Sequence, residues 1–230
     1  MKAIAIIPAR GGSKRIPRKN IKSFLGKPII AYSIEAAIAS GLFDEVMVST
    51  DDAEIATIAE QYGAKVPFLR SNATADDYAT TADVLLEVLK EYAGLKQEFA
   101  VGCCLYPTAP LVRISALKEA YDLLNSQHYD TVFPVLKYSY PIWRSLKLQE
   151  AKVSMNWPEH LNSRSQDLPA AYHDAGQFYW FKTVSFQRSK KLFTENSGAI
   201  ELEELEVQDI DNETDWKLAE LKYKLLHHID

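Results

Sequence analysis

Ten residues near the start of the chain carry its densest chemistry. Arg10-Gly11-Gly12-Ser13-Lys14-Arg15-Ile16-Pro17-Arg18-Lys19 sets five cations around two adjacent glycines and a serine. The run before it, Ala3 to Ile7, is apolar, long enough for a buried strand and too short for a membrane span. Gly11 and Gly12 let the backbone turn tightly and come close to a ligand. A buried strand that opens into such a loop aims backbone N–H groups and cations at one point, which is what holding a polyphosphate requires. Neither G-x-x-x-x-G-K-[ST] nor G-x-G-x-x-G is present. Read alone, the loop therefore also allows a solvated charged face or a non-specific nucleic-acid arm.

Toward the other end, Asp209 and Asp211 stand at i, i+2. On a strand that spacing puts both carboxylates on one face. Two carboxylates with phosphate oxygens suit a hard dication such as Mg2+. The alternative is that Asp211 or Asn212 caps the helix that follows.

Charge distribution narrows the partners. The 230 residues carry a formal charge of −5, yet residues 1–34 hold eight Lys and Arg and no acid. The basic start is a local site in an acidic protein, which argues against nucleic acid as a partner. No segment approaches the ~18 apolar residues of a span, and the first apolar run ends at Pro8, too short for a secretion signal; no membrane partner is expected. Cys103 and Cys104 are neighbours, unsuited to a disulfide, with no further Cys or spaced His to complete a zinc site. A reducing, cytoplasmic setting is the expectation.

The elements that must position these residues read as strand–helix–strand from the first residue. Pro28 suits a helix start and Gly41 its end, with Ile30, Ile34 and Ile38 as the inward stripe. Glu45 to Ser49 reads as a strand, and Asp51 as the cap of the next helix with Glu54 completing a capping box. That helix carries Ile55, Ile58, Ala59 and Tyr62. Val66 to Leu69 reads as extended. A third helix from Thr80 or Thr81 turns Val84, Leu85, Val88, Leu89 and Tyr92 inward. Ala100 to Leu105 is a central strand, Ser115 caps a helix through Leu124, and Thr131 to Leu136 is a strand. Phe178 to Lys182, Ala199 to Leu202 and Leu205 to Ile210 read as extended, and a last helix from about Asn212 presents Leu218, Leu221 and Leu225. The fold class is α/β with a mainly parallel sheet, in one domain spanning 1–230. Ligands in such sheets lie beyond the carboxyl ends of the strands, here Arg10–Lys14, Ser49–Asp51, Tyr106–Pro110 and Asp174–Gln177.

Residues 138–172 break the pattern. They hold Tyr138, Tyr140, Trp143 and Trp157 with no helical stripe, and Ser145 to Met155 alternates as a hairpin turning between Gln149 and Lys152. An aromatic hairpin must bury itself, either on its own core or, as the expectation here, on a second copy in a homodimer.

The string Ile7-Pro8-Ala9-Arg10-Gly11-Gly12-Ser13-Lys14, followed by Lys19-Asn20, resembles the signature of the CMP–sugar-acid synthetases, or acylneuraminate cytidylyltransferases. The resemblance returns in order at Ser49-Thr50-Asp51, Pro107-Thr108-Ala109-Pro110, Asp174-Ala175-Gly176-Gln177 and Asp209-Ile210-Asp211. His173 to Trp180 makes the chain most similar to the branch that activates pseudaminic acid. Tyr106 and Val112 also depart from the sialate branch, which usually has Gln before the Pro-Thr turn.

The resemblance implies a Rossmann-like nucleotide-diphospho-sugar transferase fold with 138–172 as a dimerisation hairpin. It implies transfer of CMP from CTP to the anomeric oxygen of a nine-carbon sugar acid, releasing pyrophosphate, for glycan or flagellin glycosylation. N-acetylneuraminate and legionaminate are the alternative substrates; an inactive nucleotide-binding scaffold is the alternative of another class. Arg10, Gly11, Gly12, Ser13, Lys14, Lys19 and Asn20 would hold the nucleotide's phosphates and ribose. Arg70, Ala79, Thr81 and Thr108 would complete the CTP site, with Ala79 and Thr81 in a loop after Asp76 that reads the base. Tyr106, Arg164, Gln166, Asp174, Gln177 and Tyr179 would bind the sugar acid, with His173 a weaker candidate for proton transfer. Asp209 and Asp211 would hold Mg2+, and Arg10, Lys14, Lys19 and Asp211 would carry the catalysis.

Overall fold

The computed structural model describes residues 1–75 and 78–229; Asp76, which bounds the loop expected to read the base, lies outside them. The chain opens with β1 (Ala3–Pro8), a 3-10 turn at Lys19–Ile21, the short pair β2 (Ser23–Phe24) and β3 (Lys27–Pro28), and α1 (Ile29–Ser40). Then come β4 (Glu45–Ser49), α2 (Ala53–Gln61), α3 (Asn72–Ala75), α4 (Thr81–Gly94), β5 (Val101–Leu105), α5 (Ile114–Ser126) and β6 (Thr131–Lys137). A hairpin of β7 (Leu146–Gln149) and β8 (Lys152–Met155) precedes β9 (Tyr172–Asp174), β10 (Phe178–Lys182), α6 (Thr183–Ser189), β11 (Ser197–Leu202) and α7 (Glu213–His227).

Seven strands form the central sheet in the order β11-β6-β10-β5-β1-β4, with β9 beside β6. β4, β1 and β5 pair in parallel, as do β6 and β11; β10 runs antiparallel between β5 and β6. This is the mainly parallel sheet expected. Alternation along β1 sends Ala3, Ala5 and Ile7 into a core with α1, α2 and α5, and Ile4 and Ile6 into a second core with α4 and α6. Both faces are covered, which is why β1 and β5 read as unbroken apolar runs.

Several boundaries differ from the sequence reading. Asp52, not Asp51, caps α2, accepting from the N–H groups of Glu54 and Ile55. Asp51 is engaged elsewhere: its carboxylate accepts from the Gly11 N–H at 3.0 Å. Arg113, not Ser115, holds the cap position of α5, without a side-chain bond. Val66 to Leu69 forms no strand; the single bridge nearby, to Met47, is made by Lys65 just before it. Residues 205–210 form no strand; Glu204–Glu206 is a 3-10 turn and irregular backbone follows. In α7 the sides are reversed. Leu218, Leu221 and Leu225 are exposed, while Trp216 and Ala219 are buried with Phe24 and Tyr32 in a third cluster. Ile38 of the α1 stripe is also exposed. The five inward residues of α4 are all buried, as expected.

Residues 138–172 leave the sheet between β6 and β9. Their hairpin turns through Glu150 and Ala151, both at positive φ, as a two-residue β-turn requires. Leu146 faces Met155 and Leu148 faces Val153, so one side of the hairpin is apolar, with Leu148 73% exposed.

Candidate active site

The carboxyl ends of β1, β4 and β5 lie side by side, and the backbone of Tyr106 after β5 donates to the Gln177 carbonyl before β10. The sheet therefore delivers all the loops named above to one edge.

The cationic loop is folded by its own residues. Buried Asn20 donates from Nδ2 to the Arg10 carbonyl at 2.9 Å and closes the loop on its base. Arg18, at φ 54°, pairs with Asp52 and Glu54, and its hydrogen bond holds the Asp52 carboxyl below its usual range. That fixes Arg18 as a structural clamp between the loop and α2. Gly11 faces the same Asp52: a Cβ there would stand 2.6 Å from Asp52 Oδ2. Gly11→Ala is expected to push the loop outward and weaken CTP binding about tenfold, roughly 1.4 kcal/mol, with the melting temperature little changed. Calorimetric titration checks this; unchanged affinity would show that the loop does not need its close approach to Asp52.

Lys19 joins the loop to the far end of the chain. Its Nζ donates to the Ile210 carbonyl at 2.6 Å, between Asp209 and Asp211. Burial lowers its pKa, and the charges of Asp211 and Asp209 work against that fall. Arg15 pairs with Asp211 at 2.7 Å. Asn212 caps α7, and Asp215 accepts from the N–H groups of Asp211 and Asn212. The cap is thus real, and it falls on Asn212, leaving both aspartate side chains free of that duty. The surrounding protein, and then the Asp211 charge, raise the Asp209 carboxyl. Among the described residues no three His, Cys, Asp or Glu side chains are grouped to hold a metal. A pair of mutually repelling carboxylates beside the cationic loop is nevertheless a fitting donor set for Mg2+, which takes further oxygens from phosphate and water.

Arg10, Arg70, Ala79, Thr81 and Tyr106 line one cavity of about 230 Å³ with Pro8, Thr74 and Val84. Arg70 is buried and forked onto β4, donating from Nε to Ser49 Oγ at 3.1 Å and from Nη2 to the Ser49 carbonyl at 2.6 Å. Burial lowers its pKa, with Asp51 and Glu87 opposing.

A second cavity of about 610 Å³ is lined by Tyr106, His173, Asp174 and Tyr179 together with Phe133 and Phe193. Tyr106 is a wall of both cavities. Tyr179 donates its hydroxyl to Asp174 Oδ2 at 2.6 Å. His173 Nδ1 lies 2.9 Å from the Asp174 carbonyl oxygen, its ring against Tyr138.

The remaining candidates are not gathered there. Arg164 is forked onto Asp167 at 2.7 and 3.2 Å, and Gln166 lines a separate cavity of about 300 Å³ under the 138–172 insert. Gln177 is buried with its amide donating to the Glu206 carbonyl. Thr108 is half-buried in the turn after β5. Ser49 carries no role in the sequence reading beyond the motif itself, and Asp51 only that of a helix cap, which falls to Asp52. The structure gives them one: they hold Gly11 and Arg70, and their recurrence beside the motif is the signal that could have found them.

A family model described as "Cytidylyltransferase" matches residues 4–226. The pseudaminic acid cytidylyltransferase of Campylobacter jejuni subsp. jejuni serotype O:2 is 45% identical over 228 residues, 99% of this chain and 98% of that protein. The CMP-N,N'-diacetyllegionaminic acid synthase of Legionella pneumophila is 33% identical over 225 residues, 96% of this chain and 95% of that protein. Among solved structures, a CMP:2-keto-3-deoxy-manno-octonic acid synthetase complexed with CTP superposes with a TM-score of 0.72 at 19% identity, covering 100% of both chains.

Proposed function

The chain belongs to the cytidylyltransferase family, and from that premise we propose that it transfers CMP from CTP to the anomeric oxygen of pseudaminic acid, releasing pyrophosphate. One observation carries the nucleotide half. Arg10, Arg70, Ala79 and Thr81, scattered over seventy residues of sequence, line a single small cavity beneath the cationic loop. The sugar half is supported by the 45% identity to a pseudaminic acid enzyme and by the larger cavity beyond Tyr106.

Phosphoryl-type transfer asks the protein for charge neutralisation and positioning more than for covalent chemistry. Arg10, Lys14 and Lys19 supply positive charge along the triphosphate. Asp209 and Asp211 would hold Mg2+, which when bound supplies further positive charge at the α-phosphate. Tyr106 separates the two substrates so that the anomeric oxygen approaches from its far side.

The test is pyrophosphate release with CTP and Mg2+ against pseudaminic, legionaminic, N-acetylneuraminic and the eight-carbon sugar acid, with mass spectrometry of the adduct. Release with pseudaminic acid alone is the expected result. Release with N-acetylneuraminic acid instead would overturn the sugar assignment and keep the reaction.

The apolar side of the β7–β8 hairpin supports a homodimer, since Leu146, Leu148 and Val153 are exposed together. Leu148→Lys with Val153→Lys is expected to shift sedimentation from dimer to monomer. A monomeric wild type would refute the assembly. Two free buried cysteines suit the reducing cytoplasm proposed as its compartment.

A further inference from the structure

Asp209 and Asp211 are carried by a segment that is neither helix nor strand, so something other than a ladder must hold it. Downstream it is held by Lys19 on the Ile210 carbonyl and by Asp215 on the Asp211 N–H. Upstream the hold comes from three other parts of the chain. Arg113, at the start of α5, forks onto Glu206, Nε to Oε1 at 2.7 Å and Nη2 to Oε2 at 2.8 Å. The same carboxylate accepts the Glu203 N–H at 3.0 Å, and the Glu206 carbonyl accepts the Gln177 amide. Lys222 of α7 donates to the carbonyls of Glu204 at 2.9 Å and Val207 at 2.6 Å. Asp209 stands two residues beyond Val207.

Two of these contacts are poor choices for stability alone. The Glu206 side chain is 8% exposed, and burying a carboxylate costs much of what its ion pair returns. Gln177 is 3% exposed, and its Oε1 finds no donor among the described residues. An apolar side chain of similar size would fill that place without an unpaired oxygen. What polar groups provide and apolar ones do not is direction. A forked guanidinium fixes a carboxylate in plane and angle, and an amide donor fixes a carbonyl. Both act on Glu206, and both come from the substrate edge of the sheet: Arg113 from the segment after β5, Gln177 from the residue before β10.

We infer that Arg113, Glu206 and Gln177 are positioning residues for a divalent cation, setting where Asp209 stands relative to Asp211. This rests on the proposal that the two aspartates hold Mg2+. Both substrate cavities are lined by other residues, so the three act through the backbone from Glu206 to Asp209. Loosening this upstream anchor frees Asp209 while Lys19 and Asp215 keep Asp211 in place. The cation then keeps one carboxylate and loses the geometry of the other. Mg2+ is sensitive to such a change because it demands a near-ideal octahedron of oxygens.

The test measures binding of Mn2+, a paramagnetic stand-in for Mg2+, to the protein with CTP bound, read from water-proton relaxation in the wild type, Gln177→Leu and Arg113→Lys. Thermal melts confirm folding, and calorimetry of CTP without metal checks the nucleotide site. Gln177→Leu removes the donor to the Glu206 carbonyl; Arg113→Lys keeps the charge and loses the fork. Each is expected to weaken Mn2+ binding by roughly tenfold, the worth of one hydrogen bond, and to raise the Mg2+ needed for half-maximal pyrophosphate release alike. Metal-free CTP binding is expected to stay as in the wild type. A merely structural role would lower the melting temperature and leave the metal constant of the folded protein alone. A wild type that binds Mn2+, with that affinity unchanged in both folded variants, would overturn the inference and leave the aspartate pair as the metal site. A wild-type CTP complex that binds Mn2+ no better than CTP does by itself would overturn both.

Discussion

Asp211→Asn is expected to lower pyrophosphate release from CTP by on the order of a hundredfold or more, with the protein still folded. The separation of the two effects follows from where Asp211 sits. Its partner Arg15 is 70% exposed in this pair, and Asp211 itself 40%. An exposed ion pair is worth only about 0–1 kcal/mol, so the substitution should barely move the melting temperature. The backbone of the segment is held independently, by Asp215 on the Asp211 and Asn212 N–H groups and by Lys19 on the Ile210 carbonyl. Removing the charge leaves that frame standing.

Chemistry has no such reserve. Asp209 and Asp211 together offset the cations of Arg15 and Lys19 and offer hard oxygens for Mg2+. In the proposed mechanism, with one carboxylate gone a bound Mg2+ would lose a charged ligand, and charge stabilisation of several kcal/mol is what such an ion would provide. Asp209→Asn is expected to behave alike. Raising Mg2+ in the assay should restore part of the rate in both variants. Turnover within threefold of wild type, in a variant with unchanged melting, would remove these residues from the proposed mechanism.

How far this site could be read beforehand differs from element to element, for physical reasons. The five inward residues of α4 were legible because a helix lying on a sheet shows one apolar stripe and no competing one. α7 offered two stripes, and the more obvious leucines were the wrong ones. What decides its docking is Phe24, 192 positions before Trp216 in the chain, whose ring stands 5.6 Å from the indole. No local period carries that contact. Asp51, with Glu54 three residues on, reads as the cap in sequence, but the Gly11 N–H claims its carboxylate and Asp52 caps α2 instead. Residues 205–210 looked extended, but the run is broken by the 3-10 turn at Glu204–Glu206, which the Glu206 carboxylate closes by accepting from the Glu203 N–H at 3.0 Å. Arg10, Tyr106 and Asp174 line the two adjoining cavities as their positions at strand ends implied, whereas Arg164 and Gln166 sit in an insert whose placement no strand dictates.

Arg70→Met is expected to have the second large effect, and here stability and binding fall together. The guanidinium is buried and pairs twice with Ser49, at the last residue of β4. Methionine fills similar space but donates nothing, so the buried Ser49 hydroxyl loses its donor, while the Ser49 carbonyl keeps the Ala9 N–H. An unsatisfied buried group costs about 1–3 kcal/mol, which for a chain of this size lowers the melting temperature by roughly 2–12 °C. The end of β4 also carries Asp51, which holds Gly11, so disorder at Ser49 passes to the phosphate loop. Arg70 is moreover a wall of the cavity proposed for cytosine, where its remaining N–H groups are suited to ring acceptors. CTP affinity is expected to fall by on the order of a hundredfold, two hydrogen bonds' worth. Arg70→Lys separates the parts. It keeps the charge and one bond to Ser49 but loses the fork, so it should recover most of the melting temperature and little of the binding. If Arg70→Lys instead bound CTP as well as wild type, the fork would serve β4 alone and the base would be read by Ala79 and Thr81 without it.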